Sequence, residues 1–411
     1  MLLVNINDVR PGAVLGALVT DPRSPELTLL RPGVELDGSM LASVKRRGVT
    51  QLWVEDDLTK DLDAAVAPEL IAARLEVYTR LRDDLKGFSR KTVTVSSVQA
   101  YRQAVMGLVT QVISSGAYVS MIDTLFGAGD LVTHSSNVAY LSLLAALHVE
   151  AYVVSEQKKL DREQARDTSV LGLAGMLHDI GKTGLVPRSA AFHDIYADAA
   201  HPRPEKYLEH VNIGHQMLAD SRAPARVAHV VLNHHQRFDG KGWPDLTTMS
   251  AGRVKGPLSG RRIHIHARIV AAANVLDNLL RDADGGRRPP VAALCAFASP
   301  AYDGWFDPII RRALLLRVPP FAIGSDVTLS DGRRAVVVAP TPDDPCRPVV
   351  RVLTDLAGER VTEATNIDLH ATPAAAIRIT HVMGQDVSRY LYDPPPAVPW
   401  PDDTADASIA A

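Results

Sequence analysis

Two strongly apolar helical segments of this chain end in doublets of metal-binding side chains. Ser169–His178 runs into His178-Asp179, and Ala225–His234 runs into His234-His235. Successive residues on a helix diverge by about 100°. Both members of a doublet can therefore serve one centre only near a helix end, or when each serves a different ion. Either way the helix ends must converge, which constrains the fold more than any other feature of the chain. His134 and His210 lie on further helical segments, so five imidazoles and one carboxylate between residues 134 and 235 read as one inward-facing cluster.

Helical periodicity dominates residues 98–318. Its clearest segments are Val98–Ser115, His134–Leu147, Ser169–His178, Tyr207–Asp220, Ala225–His234 and His264–Leu280. Residues 187–204, with several Pro and His, have the composition of a loop. Residues 1–60 read as a small α+β unit. Its apolar runs Val14–Val19 and Gln51–Val54 are separated by turns at Pro11-Gly12, Asp21-Pro22 and Pro32-Gly33, and a short helix Ser39–Arg47 stops at Gly48. Residues 61–97 follow as a connecting helix, Pro68 to Lys86, and a Ser/Thr/Val linker. Beyond the helices, residues 319–390 read as a small β-rich unit, a barrel or a meander built on Val327–Ser330, Ala335–Ala339 and Val349–Leu353. Residues 391–411, Pro-rich and then acidic, have the composition of a disordered tail. The expected fold class is mainly α, a helical domain between two small units.

A length of 411 residues suits two or three domains. A net charge of -3 argues against the basic face that a nucleic-acid polymer requires, so any nucleotide handled here is small and held in a pocket. Cys295 and Cys346 form neither a metal-binding spacing nor a disulfide framework, which favours a reducing cytoplasm. The most apolar stretch, Leu141 to Val154, is interrupted by His148 and Glu150, and residues 1–5 lack a signal-peptide pattern. A cytoplasmic protein without a membrane span is expected.

Imidazole and carboxylate donors without thiolate favour Fe, Mn, Zn or Mg. Two such ions about 3.5–4 Å apart can share a hydroxide and hold both non-bridging oxygens of a phosphodiester. Asp179 can bridge them, and Lys182 adds a point charge for phosphate. Asp130, four residues before His134, would share its helix face. Phosphoester hydrolysis is the chemistry this set suits. The other histidines have plainer readings. His148, His229, His370 and His381 read as surface or satisfied core residues, His264 and His266 as exposed or structural, and His193 and His201 as loop residues over the cluster.

The motifs Thr133-His134-Ser135-Ser136-Asn137-Val138-Ala139 and Leu177-His178-Asp179-Ile180-Gly181-Lys182, the His210 segment, and His234-His235-Gln236-Arg237-Phe238-Asp239-Gly240-Lys241-Gly242-Trp243-Pro244 occur in this order. Over residues 130–280 the chain thereby resembles the HD-GYP family of bacterial phosphodiesterases, a branch of the HD-domain metal phosphohydrolases. The resemblance implies a helical HD-type catalytic domain at 98–318. It implies two or three iron or manganese ions, with magnesium or zinc as alternatives. Their ligands would be His134, His178, Asp179, His210, His234 and His235, with Asn274 at a further ligand position and Asp130 beside a third ion. Asp179 and Lys182 would be catalytic, and Lys182, Asp239, Lys241, Trp243 and Arg287 would meet substrate. The substrate implied is cyclic di-GMP, hydrolysed to pGpG or GMP through a bridging hydroxide. The flanking units suit a homodimer or a signalling-protein partner; no membrane or nucleic-acid polymer is implied.

The chain departs from the family pattern. Asn274 stands for an Asp ligand, Gln236 for a Glu and Trp243 for a Tyr, and residues 282–289 replace an Arg-Pro-Tyr element. Two alternatives therefore stay open: a degenerate module that binds a messenger or partner without hydrolysis, and an HD enzyme acting on another nucleotide.

Overall fold

The computed structural model describes residues 1–22, 24–66, 68–87, 94–114, 131–185, 209–221, 223–244, 258–281, 288–371 and 377–398. Asp130, His193, His201, Arg287 and the expected loop 187–204 lie outside the described residues.

In chain order the helices are α1 (Gly38–Arg46), α2 (Pro68–Gly87), α3 (Val95–Ser114), α4 (Leu131–His148), α5 (Glu150–Ser155), α6 (Arg162–Arg166), α7 (Ser169–Leu177), α8 (His210–Asp220), α9 (Ala225–Asn233), α10 (Ile265–Leu279), α11 (Pro290–Ala298) and α12 (Pro308–Arg317). Helix α4 is the axis of the helical domain, buried at every residue from Leu131 to Ala146. Helices α2, α3, α7, α10 and α12 pack around it, and α10 is likewise buried from Ile265 to Leu279. Helices α8 and α9 pair with each other, and α9 leans on α7 and α10.

The expected connecting helix does more than connect. Helix α2 inserts Leu70, Val77, Tyr78 and Leu81 into the same core as α4. Its apolar spacing was legible, but nothing local says which neighbour receives it.

Strands β1 (Leu2–Asn5) and β4 (Gln51–Val54) pair antiparallel in the N-terminal unit, beside a hairpin of β2 (Val19–Asp21) and β3 (Ser24–Leu30). The expected run Val14–Val19 contributes only isolated bridges at Val14 and Leu15 before β2 begins, whereas residues 2–5 form a buried strand. Helix α1 starts where Asp37 accepts from the Met40 amide at 2.8 Å and ends before Gly48, whose φ is +91°.

The C-terminal sheet contains β5 (Asp326–Leu329), β6 (Arg334–Ala339), β7 (Val349–Val352), β8 (Asn366–Asp368), β9 (Ile379–Val382) and β10 (Gln385–Asp386). Its order is β10-β9-β5-β6-β7-β8, a meander to which β9 returns beside β5. Alternate side chains of a strand face opposite sides. Ala335 and Val337 accordingly join the helical core, while Val336 joins the core of the N-terminal unit. Arg351 clasps Asp61 through two bonds of 2.6 and 2.8 Å. The sheet is thus packed on both faces.

The described part of the expected tail is anchored. Buried Tyr392 donates its hydroxyl to the Leu315 carbonyl at 3.0 Å, and Arg312 donates to the Pro395 carbonyl. One aromatic ring suffices to hold a segment whose average composition reads as disordered. Cys295 and Cys346 are free thiols. Among the described residues no helix is long and apolar enough to cross a membrane.

Candidate metal centre

The two doublets stand at helix ends, where capping chemistry orients them. The last carbonyls of an α-helix have no intrahelical donor. His178, the C-cap of α7, lies 2.7 Å through Nδ1 from the Gly175 carbonyl, and His234, the C-cap of α9, lies 2.8 Å through Nδ1 from the Val231 carbonyl. A carbonyl only accepts, so each Nδ1 carries the proton and each Nε2 presents a lone pair. His134, on α4, has its Nδ1 2.7 Å from Oδ2 of Asp277 on α10, and its Nε2 also faces the cluster.

Asp179 follows His178 as the chain tightens into a 3-10 turn, Ile180–Gly184. This turn packs against the start of α8, and a Cβ on Gly181 would collide with the His210 carbonyl. Glycine is therefore what lets His210 approach. Asp179 is fully buried, and its two oxygens face different partners. Oδ2 lies 3.2 Å from His178 Nε2, 3.4 Å from His134 Nε2 and 2.5 Å from Lys182 Nζ. Oδ1 lies 3.2 Å from His210 Nε2 and 3.6 Å from His234 Nε2. His235 Nε2 completes the second group, 3.2 Å from His210 Nε2. Two ligand-like groups result, His134-His178-Asp179 and Asp179-His210-His234-His235, all buried and sharing one carboxylate.

This arrangement fits cations. Asp179 Oδ1 is buried and makes no hydrogen bond among the described residues. Imidazole Nε2 atoms face one another at 3.2 Å across His134 and His178 and at 3.5 Å across His210 and His234. With Nδ1 protonated, Nε2 of His178 and of His234 each turns a lone pair toward a second ring nitrogen, an approach that a proton or a cation between the rings relieves.

The titration behaviour carries the same message. Burial pushes His234 down to about 3, holding it unprotonated. Burial would also lower His134, but Asp179 and Asp277 outweigh it and raise the ring to about 9. Asp179 is held well below the usual carboxylate range: burial alone would raise it, but His178, Lys182 and His134 outweigh that. A proton drawn onto His134 stands where a cation would otherwise supply charge.

The remaining residues picked from sequence divide. Asn274 is buried on α10, and its Oδ1 accepts from Asn278 Nδ2 at 3.0 Å. Asp277, one turn later, reaches the cluster through His134. Lys182 is buried with its ammonium on Asp179.

Asp239 is engaged inside its own loop. It pairs with Arg237, accepts from the Lys241 amide at 3.0 Å, and its amide donates to Gly304 O at 2.8 Å. Trp243 donates its amide to the His235 carbonyl at 2.9 Å, and Lys241 is exposed beside it. A Cβ on Gly242 would collide with the Arg237 amide, so this loop folds back on itself. Gln236 donates Nε2 to the Pro244 carbonyl at 2.7 Å, a bond that an ionised Glu could not make.

His264 caps α10 by accepting from the His266 amide at 3.1 Å, and His266 is buried. His148 accepts from Arg317, and His370 meets Asp344. The partners that tie Asp277 into the core, Asn137 and Arg74, were not singled out from the sequence.

Residues 135–310 match the family model described as HD domain, and residues 327–380 match one described as KOW domain associated with HD domain. The chain is 27% identical over 348 residues to Cyclic di-GMP phosphodiesterase PA4108 of Pseudomonas aeruginosa, covering 75% of this chain and 74% of that protein. It is 31% identical over 175 residues to Cyclic di-GMP phosphodiesterase response regulator RpfG of Xanthomonas campestris, covering 40% of each. A Cyclic di-GMP phosphodiesterase of Thermotoga maritima is 33% identical over 121 residues, covering 28% of this chain and 27% of that one. Fold and site together define an HD-domain metal-dependent phosphodiesterase. The HD-domain match and these relatives are consistent with the HD-GYP family.

Proposed function

We propose that the centre holds two divalent cations bridged by Asp179 and that the chain hydrolyses cyclic di-GMP to pGpG or GMP. The observation that carries this reading is the division of Asp179, with Oδ2 toward His134 and His178 and Oδ1 toward His210 and His234. Cations held by these residues would supply charge for the phosphodiester oxygens and would lower the pKa of a bound water.

The protein's own part is preorganisation. His178 and His234 are fixed by their helix ends and His134 by Asp277. Lys182 holds the bridging carboxylate and stands ready for a phosphate oxygen. The loop at Lys241 and Trp243, attached directly to His235, offers a cation and an aromatic face to a nucleotide. The all-nitrogen-and-oxygen donor set supports iron or manganese, with zinc or magnesium as alternatives. Asn274 would join as a neutral ligand through the Oδ1 lone pair that Asn278 leaves open. Two free thiols support a reducing cytoplasm.

The neutral Asn274 amide favours one competing reading, a module that binds a cyclic dinucleotide without cleaving it. Metal analysis of protein purified without oxygen, run beside assays on cyclic di-GMP and cyclic di-AMP, separates the two. Two ions per chain and cleavage lost in Asp179→Ala support hydrolysis. Binding without turnover at full metal loading supports the competing reading.

A further inference from the structure

One set of buried polar groups in the helical core forms a chain that leads away from the cluster. Asp277 is 1% exposed, on a helix, α10, that is buried from Ile265 to Leu279. A carboxylate in such a place requires compensation. It accepts from His134 through Oδ2 and from Asn137 Nδ2 through Oδ1, the latter at 2.8 Å. Asn137 in turn accepts at Oδ1 from the Arg74 guanidinium at 2.7 Å. Arg74, only 3% exposed, is stacked 4.7 Å over the Tyr140 ring.

The Asn137 amide can serve this chain in one orientation only. Its carbonyl must meet the cation and its NH2 the anion, because a flip would set like against like at both ends. Arg74 thus fixes Asn137, Asn137 fixes Asp277, and Asp277 fixes the His134 ring with Nε2 toward Asp179. Arg74 comes from α2, outside residues 135–310. That helix begins directly after the 3-10 segment Asp57–Val66, whose Asp61 is held by Arg351 of the C-terminal sheet.

We infer that Arg74 is a positioning residue for the His134 side of the metal centre, acting through Asn137 and Asp277. The inference rests on the two-cation reading above, and its consequence is selective. Losing Arg74 weakens the ion served by His134 and His178 and leaves the ion served by His210, His234 and His235 untouched. Outer partners of metal-bound histidines typically contribute about 10–100-fold in affinity, and Arg74 falls in that range.

The test is a competitive-chelator titration with manganese on wild-type protein, Arg74→Met, Arg74→Lys and Asp277→Ala, with urea unfolding of the metal-free proteins alongside. Expected are two sites in the wild type and one of them weakened at least about tenfold in Arg74→Met. Arg74→Lys should recover part of that loss, and Arg74→Met/Asp277→Ala should bind no more weakly than Asp277→Ala alone. Should Arg74→Met not fold, Asn137→Ala breaks the same link and should weaken the same site. An Arg74→Met protein that is less stable yet binds both ions as wild type does overturns the inference and leaves the two-cation reading standing. So does a double variant whose losses add. Wild-type protein that takes up no manganese overturns both.

Discussion

On one side of Asp179 stand His134 and His178; on the other stand His210, His234 and His235. The second group is assembled from two adjacent helix termini, the start of α8 and the end of α9, and needs little beyond them. The first spans α4 and α7, which are distant in sequence, and is steadied by Asp277 from α10 and, behind it, by Asn137 and Arg74. It also has two imidazoles where the other has three, and Asn274 of α10 is bonded to Asn278. Ligand number and charge govern how firmly a dication is held. The two halves should therefore load unequally, the three-histidine half first.

The largest expected effect comes from the carboxylate both halves share. Asp179→Ala should abolish cleavage of cyclic di-GMP and leave fewer than one tightly held ion per chain by elemental analysis. Retained cleavage would dissolve the comparison altogether. Next come single-sided substitutions. His235→Ala should remove the tighter ion and His134→Ala the weaker one, seen as loss of different phases in the same manganese titration. If both variants lose the same phase, the halves are not separate sites.

Asn274→Asp sharpens the comparison from the other direction. A carboxylate in that position adds charge to the weaker half, and manganese affinity there should rise by about tenfold, with the stronger phase unchanged. No change would mean that Asn278 keeps the side chain out of reach.

The response to pH is smaller. The unfolded chain takes up protons at His234 and His264 as pH falls through about 6.5. The folded chain resists, with His234 pushed down to about 3 and His264 to about 4 by burial. Stability therefore falls as pH drops below about 6.5, since the unfolded state then binds more protons. His134 works in the opposite sense. With its ring raised to about 9, its contribution is complete below about 6.5 and is lost as pH rises through about 9. Chelator-treated protein should show its highest urea midpoint near pH 6.5, with lower values at both pH 4.5 and pH 9.5. A bound ion replaces the proton on His134 and should flatten the alkaline side. An alkaline fall that persists at full metal loading would show that His134 is not a ligand.

Smallest of all, Gln236→Glu sets a carboxylate against the Pro244 carbonyl in place of a donor. It should lower the unfolding midpoint by about 1–3 kcal/mol equivalent, with metal content unchanged.

Much of this centre is written locally. Apolar periodicity placed the helices within a few residues of their observed ends, as at Ser169–Leu177 and Ala225–Asn233. A histidine directly after such a run caps carbonyls that have no other donor, so the doublets at 178 and 234 had to face a common direction. Gly175, Gly181 and Gly242 mark places where backbones meet too closely for a Cβ. Periodicity, capping and close approach act over a few residues, and a sequence displays them directly.

The partners of buried polar groups are another matter. That Asp277 rather than Asn274 reaches His134 depends on how α10 is rotated against α4, an angle set by side chains along both helices. That Arg74 enters the core depends on α2 packing there instead of merely linking two units. Strand β6 divides its alternate residues between two cores because the N-terminal unit covers the far face of the sheet. Composition alone also concealed the anchoring of Tyr392 beneath α12. The sequence by itself determined which side chains could gather around a cation and which helix ends would present them. Only the tertiary structure decided which buried charge answers which, because that choice belongs to faces brought together from distant parts of the chain.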